Sequence, residues 1–151
     1  SSHGGKVVNK MTGTRTNEAI VDIREFTSGI SIESIIEKIE GELLAGSEEI
    51  IERPIYGYTM VDSLKAITTF NAFGEMYGWS NERAVFFSGV HYGRSPMIAV
   101  RAHPVKPRMA VYVKPKAVDP LAPKLADMEN VVLVKTDLDE STIVERLRYL
   151  R

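Results

Sequence analysis

Cysteine is absent from the 151-residue sequence, which excludes disulfide bonds, thiol nucleophiles and thiolate metal sites. Histidine occurs only at His3, His91 and His103, without the HxH or HExxH spacing of a zinc site. No apolar run approaches the roughly 18 residues that a membrane-spanning helix needs, and no secretory signal is recognisable. We therefore expect a cytoplasmic protein with no metal, no cofactor and no membrane partner.

An excess of charge of one sign is also missing. Nineteen Lys and Arg residues face twenty Asp and Glu residues, for a net charge of −1, so no overall basic field favours nucleic-acid binding. Hydrophobic residues make up 44% of the chain and charged residues 26%, which is typical of a globular domain and not of a disordered one. The many charged and β-branched residues are compatible with a thermophilic source.

The chain length matches one domain. The opening residues lack an initiator methionine and look like a tag remnant or linker, so we exclude 1–5 from the fold. We expect residues 6–151 to form a single α/β domain, excised from a longer chain.

Three buried strands are predicted in the second half of the chain, over 84–90, 109–113 and 131–136. Each is a short apolar run followed by a helix start, near Ser95, Asp119 and Ser141 respectively. This βαβαβα alternation over 84–151 predicts adjacent parallel strands with helices on both faces, which is a three-layer α/β sandwich with a largely parallel sheet.

The first half has weaker patterns and predicts a preceding α+β part. Residues 18–24 alternate like a half-buried strand, and Ser31 is expected to cap a helix that stops at Gly46. A proline and a glycine interrupt the extended stretch 49–61, so we expect an edge strand or a bent strand there. An apolar stripe at helical spacing predicts a helix over 62–78.

Polar loops follow the predicted strands at the edge of the sheet where parallel α/β folds bind ligands. The loop 88–95 holds two glycines, a histidine, an arginine and two serines, and it runs into a helix N-terminus. Such a loop can bring N–H donors and a guanidinium to an anion. The loop matches neither the GxxxxGK[ST] nor the GxGxxG phosphate-binding motif. The alternative to an anion site is a tight turn in which Ser95 caps the helix. The candidate ligand-binding residues are Ser88, Gly89, His91, Gly93, Arg94, Ser95, Lys114 and Asp137.

Three other groups of residues have two interpretations each. The segment 12–17 could line a phosphate or be a flexible connection, and Tyr56 or Tyr58 could stack on a base or pack in the core. A basic string could form a positive strip or a solvated face; it consists of Arg101, His103, Lys106, Arg108, Lys114 and Lys116.

The stretch from Met109 to Asp137, MAVYVKPKAVDPLAPKLADMENVVLVKTD, resembles the closing half of DRTGG-type regulatory domains. The shared features are a buried strand, an acidic-Pro helix start, an "LA" helix and a second buried strand. The Asp-Arg-Thr-Gly-Gly signature itself does not occur in this chain. The resemblance implies a regulatory or small-ligand-sensing module attached to a larger protein.

Our leading hypothesis is a non-enzymatic, ligand-sensing domain that binds a small anionic or nucleotide-like ligand. It would be the effector part of a prokaryotic or archaeal transcription regulator, homodimeric, with DNA bound through an attached domain. One alternative is an enzyme for a phosphorylated or nucleotide-like substrate, with His91, Arg94 and Ser95 in its site. The second alternative is a nucleic-acid-binding module that uses the basic string and the segment 12–17.

Overall fold

The computed structural model of the chain describes residues 20–63 and 82–150. The strands are β1 (Ile20–Ser31), β2 (Glu42–Ala45), β3 (Pro54–Asp62), β4 (Ala84–Ser88), β5 (Met109–Val113) and β6 (Val132–Thr136). The helices are α1 (Ile32–Lys38), α2 (Glu48–Ile51), α3 (Arg94–Ala102), α4 (Leu121–Glu129) and α5 (Glu140–Arg148). None of these helices is long and apolar enough to cross a membrane.

The strands form one six-stranded sheet in the order β1-β3-β4-β5-β6-β2. The four central strands are parallel, and β1 and β2 are antiparallel edges. The three apolar runs of the second half therefore are adjacent parallel strands, as predicted, with Ala84 opposite Met109 and Met109 opposite Val132.

Side chains of the central strands point alternately to the two faces, and both faces are buried. Val85 and Phe87 pack on one face with residues of α3 and α4, whereas Ala84 and Phe86 pack on the other with residues of α1 and α5. Strands covered on both faces have continuous apolar sequences, and the MAVYV run of β5 is fully buried. The three-layer α/β sandwich predicted from the sequence is confirmed.

The first helix is shorter than predicted, because the chain turns after Lys38 instead of continuing to Gly46. Residues 42–45 form β2 and pair with β6. Glu40 has a φ of +54°, and a Cβ on Gly41 would lie 2.6 Å from Cγ1 of Val134. Glycine thus permits a close contact with β6 that a side chain would prevent.

Of the two alternatives predicted for 49–61, the edge strand is wrong, because β3 lies between β1 and β4, and the beginning of this stretch belongs to α2. Pro54 is the first residue of β3, where its missing N–H does not interrupt the ladder. At Gly57 a Cβ would lie 2.7 Å from Nη1 of Arg83, so this glycine makes room for a buried arginine.

The predicted strand 18–24 corresponds to part of β1. The helix predicted over 62–78 lies almost wholly outside the described residues, and residues 1–5 lie wholly outside them.

The three helices begin at Arg94, Leu121 and Glu140, close to the predicted starts, but neither Ser95 nor Ser141 is a cap. Helix α3 begins at Arg94 after a left-handed Gly93, so Ser95 lies inside the helix. Helix α5 is capped by Asp139, whose side chain accepts a hydrogen bond from the N–H of Thr142 at 2.9 Å, so Ser141 also lies inside its helix. The predicted cap of α1 is confirmed, because Ser31 Oγ accepts from the N–H of Ser34 at 3.1 Å.

These cap positions predict the stability of three serine variants. Ser31→Ala should lower the free energy of unfolding by about 1 kcal/mol, because a helix N–H loses its acceptor. Ser95→Ala and Ser141→Ala should each stay within about 0.5 kcal/mol of the parent, as surface substitutions usually do. Urea denaturation measures all three, and a loss for Ser95→Ala as large as for Ser31→Ala would contradict the observed start of α3.

Candidate functional site

Two clefts open at the carboxyl edge of the parallel strands. The first, here the α3 cleft, has a volume of about 220 Å³ and is lined by Ser63 and by the chain from Gly89 to Pro96. The second, here the α5 cleft, has about 380 Å³ and lies where β4, β5 and α5 meet. Gly89 lines both clefts, so they adjoin.

The loop between β4 and α3 is fixed by the loop that follows β5. The carbonyl oxygen of His91 accepts hydrogen bonds from the N–H groups of Lys116 at 2.9 Å and Ala117 at 3.2 Å. The carbonyl of Tyr92 accepts from the N–H of Asp119 at 2.8 Å. These backbone bonds leave the exposed His91 side chain at the rim, with its ring edge-on to that of Tyr92.

Gly93 is the position where this loop contacts the sheet. Its φ is +81°, and a Cβ there would overlap the ring of Tyr112. The Tyr112 hydroxyl donates a hydrogen bond to the Gly93 carbonyl. Burial raises the pKa of Tyr112, so this hydroxyl remains a donor at neutral pH. Glycine is thus required at 93 both for backbone conformation and for space.

Arg94 forms an ion pair across the two loops. Its Nη2 lies 3.0 Å from Oδ2 of Asp119. A hydrogen bond from the Leu121 N–H lowers the pKa of Asp119 most, and the charge of Arg94 lowers it further, while partial desolvation opposes both. The Arg94 side chain is 60% exposed, and exposed pairs contribute little to stability, so an anionic ligand can compete for this guanidinium.

The α5 cleft is lined by positively charged, negatively charged and hydroxyl-bearing side chains. Lys114 has a φ of +50°, and its N–H donates to the Thr136 carbonyl at 2.7 Å. Hydrogen bonds from Thr142 are the main cause that lowers the pKa of Asp139, and Lys114 contributes with its charge. The Ser88 hydroxyl donates to the Val61 carbonyl at 3.3 Å, so its proton is used inside the fold.

The structure brings most of the candidate ligand-binding residues to these clefts. Five of them line the α3 cleft, namely Gly89, His91, Gly93, Arg94 and Ser95. Ser88 and Lys114 line the α5 cleft together with Gly89, but the exposed Asp137 lines neither. Ser63, Asp139, Glu140 and Ser141 also line the clefts and are not among the candidate residues. The helix start after β6 was the signal that could have found the last three. A helix that follows a parallel strand begins at the carboxyl edge, so the residues around its cap, Asp139, lie there.

Of the other groups singled out in the sequence, only Lys114 is seen to line one of these two clefts in the described residues. Residues 12–17 lie outside the described residues. Tyr58 is buried and donates to Asp22, whereas Tyr56 is 42% exposed. Strand β5 separates the basic string into two parts, with Arg108 before it and Lys114 after it, so a continuous positive strip does not form. In the described part of the chain, no three His, Asp or Glu side chains cluster as a metal site would require.

Comparison with known proteins gives two archaeal relatives. The chain is 40% identical over 138 residues to an uncharacterised HTH-type transcriptional regulator of Methanocaldococcus jannaschii, matching 89% of this chain and 56% of that protein. It is 38% identical over 136 residues to an uncharacterised HTH-type transcriptional regulator of Archaeoglobus fulgidus, matching 87% of this chain and 58% of that protein. The chain thus spans somewhat more than half the length of these relatives. No family model matches the chain.

A solved structure shares the fold. It contains the CBS and DRTGG domains from the regulatory region of a Clostridium perfringens pyrophosphatase, in complex with the activator diadenosine tetraphosphate. The TM-score is 0.57 at 14% sequence identity, over 78% of this chain and 45% of that one. The fold therefore agrees with the resemblance to DRTGG-type regulatory domains found in the sequence.

The contact between Gly93 and Tyr112 predicts a difference between two glycine variants. Gly93→Ala and Gly89→Ala both place a side chain at positive φ, which costs about 1–2 kcal/mol. A Cβ at Gly89 would meet only Oδ1 of Asp62, at 3.8 Å, so that variant should lose no more than this. Gly93→Ala should lose a further 1–3 kcal/mol or so from overpacking against the ring. Urea denaturation compares them, and equal losses would refute the contact.

The environment of Asp119 predicts its titration. In NMR pH titrations its carboxyl should ionise at a pH below that of an ordinary aspartate, and Arg94→Gln should raise this pKa part of the way. The folded-state pKa is lowered, so the stabilisation is present above the unfolded-state pKa and is lost as the pH falls through the folded-state pKa. An Asp119 pKa that is the same in both proteins would show that the ion pair does not form in solution.

Proposed function

We propose that this chain is the effector-binding part of a helix-turn-helix transcription regulator, and that its carboxyl-edge clefts bind a small anionic or nucleotide-like ligand. Both relatives are named HTH-type transcriptional regulators. In the ranges 20–63 and 82–150 a strand separates every pair of successive helices, which differs from a helix-turn-helix unit, and both relatives extend well beyond the match. The fold occurs in the regulatory region of another protein.

The geometry of the α3 cleft is the observation that carries the ligand proposal. No side chain caps the N-terminus of α3, so its first N–H groups are available to an anion. Pro96 supplies no N–H, and the donors are therefore expected from Gly93, Arg94 and Ser95. The Arg94 guanidinium lies at the same helix end and adds a charge that can bind a phosphate or carboxylate through two hydrogen bonds.

The adjoining α5 cleft favours a ligand with more than an anionic group. Asp139 and Lys114 supply an acceptor and donors beside the hydroxyl of Ser141, and carboxylates in such positions bind ribose hydroxyls in other α/β folds. A nucleotide has both parts, a phosphate for the α3 cleft and a hydroxyl-bearing sugar for the α5 cleft. The pyrophosphatase regulatory region was crystallised with a dinucleotide polyphosphate, which makes nucleotides the first compounds to test.

A thermal-shift screen against nucleotides, phosphorylated metabolites and simple anions tests the proposal, because a ligand that binds the folded state raises its stability by mass action. The same mixtures should be analysed for turnover, since His91, Arg94 and Ser95 line one cleft, as an enzyme for phosphorylated substrates would require. Binding without turnover supports the sensing function, and phosphoester hydrolysis abolished by His91→Ala would replace it with the enzymatic one.

Arg94→Ala separates a ligand site from a simple turn. The variant should bind the anionic ligand more weakly by about 1.5–3 kcal/mol, the range for hydrogen bonds to charged groups, with little loss of fold stability. Arg148→Ala is the control, since Arg148 lines none of the clefts and forms an exposed ion pair with Glu145. Isothermal titration calorimetry measures both, and undiminished binding by Arg94→Ala would leave this loop as a turn only.

A further inference from the structure

A third cleft lies at the opposite, amino end of the strands. Its volume is about 540 Å³, larger than that of either cleft at the carboxyl edge. Two arginines line it, Arg53 just before β3 and Arg108 just before β5. The five residues of β5 separate this end of the sheet from Lys114 by roughly 15 Å, so the cleft is independent of the site proposed above.

The other charged groups of this cleft already have partners. Lys106 Nζ donates to the carbonyls of Val100 at 3.2 Å, Arg101 at 2.8 Å and His103, at the end of α3. It also lies 3.6 Å from Glu129, which is 3.5 Å from Nε of Arg101. The carboxylate of Glu129 is therefore neutralised from two sides and does not compensate the two arginines of the cleft.

Arg53 and Arg108 form no ion pair with any carboxylate in the part of the chain that the structure describes. Arg108 is half-buried and its Nη1 donates to the Pro54 carbonyl at 2.6 Å, which fixes the guanidinium at the cleft wall. Burial lowers the pKa of Arg108, and the charge of Arg53 lowers it further, although Glu82 and Tyr56, which do not line the cleft, oppose this. The two guanidinium-bearing residues line the same cleft, and their like charges repel each other.

Apolar side chains form the remaining wall. Val105 is 45% exposed, Ile50 is half-buried and Pro107 is buried. Such a wall removes water from one side of the charges, which strengthens their interaction with an opposite charge. It also offers a surface for the organic part of a ligand.

We propose that this cleft is a second anion site, in which a phosphate dianion binds between Arg53 and Arg108. The dianion removes the repulsion between the two guanidinium groups, and each of them can donate two parallel hydrogen bonds to its oxygens. Phosphate groups can come from a small phosphorylated molecule or from a DNA backbone. The concave shape with its apolar wall favours the small molecule.

Calorimetric titration of the whole chain with pyrophosphate tests this site. Arg53→Gln and Arg108→Gln should each weaken pyrophosphate binding by about tenfold to a hundredfold, as expected for lost hydrogen bonds between charged groups. Arg148→Gln is the matched control, because Arg148 is half-exposed and pairs with Glu145 on α5. Circular dichroism shows whether Arg108→Gln is folded. If that variant does not fold, Arg53→Gln is the decisive variant, because Arg53 is exposed.

Arg94→Gln distinguishes the two anion sites. Arg94→Gln should leave the Arg53-dependent binding of pyrophosphate unchanged, because Arg94 lies at the other end of the sheet. This expectation holds whether or not the carboxyl-edge clefts bind a ligand. Pyrophosphate affinity and stoichiometry that are the same in Arg53→Gln, Arg108→Gln and the parent would overturn the second site. Binding of duplex DNA that depends on Arg53, without any binding of pyrophosphate, would overturn the small-molecule assignment.

Discussion

The contact between Tyr112 and Gly93 connects the sheet to the loop on which the α3 cleft depends. Tyr112 is fully buried in β5 and packs edge-on against Phe87 of β4. Its hydroxyl group reaches the Gly93 carbonyl, which is the last one before α3 begins. The start of α3, and with it the direction of Arg94, is therefore set by a side chain of the neighbouring strand. Without the ring, the backbone bonds to residues 116–119 and the ion pair between Arg94 and Asp119 would still hold the loop on this side.

The second half of the fold was predictable because burial on both faces makes the strands continuous apolar runs. The errors of the first half come from contacts between residues far apart in sequence. The apolar stripe of α1 continues past Ile39, and nothing local shows that Gly41 must pack against Val134. Likewise, Gly57 looks like a strand breaker until Arg83, a distant residue, is found to cross it. Local pattern gives the type of an element, whereas such contacts decide its end and its neighbours.

The location of the candidate site was predictable from topology, but the ion pair and the helix cap within the site were not. Parallel strands bring their following loops to one edge, and the loop 88–95 was therefore chosen correctly as a cleft-lining segment. The ion pair of Arg94 joins residues 25 positions apart. The cap of α5 had several candidates, since Asp137, Asp139 and Ser141 all lie in this short stretch. The arginine pair at the amino end was hidden because Arg53 is remote from the basic string.

The antiparallel direction of β1 has a consequence for the carboxyl-edge clefts. Ile20 is opposite Val61, near the carboxyl end of β3, and Ser31 is opposite Pro54 at its beginning. The polypeptide thus enters the described sheet at the edge that carries the α3 and α5 clefts. The clefts at that edge therefore lie at the end of the sheet where β1 begins, and β1 is hydrogen-bonded to β3.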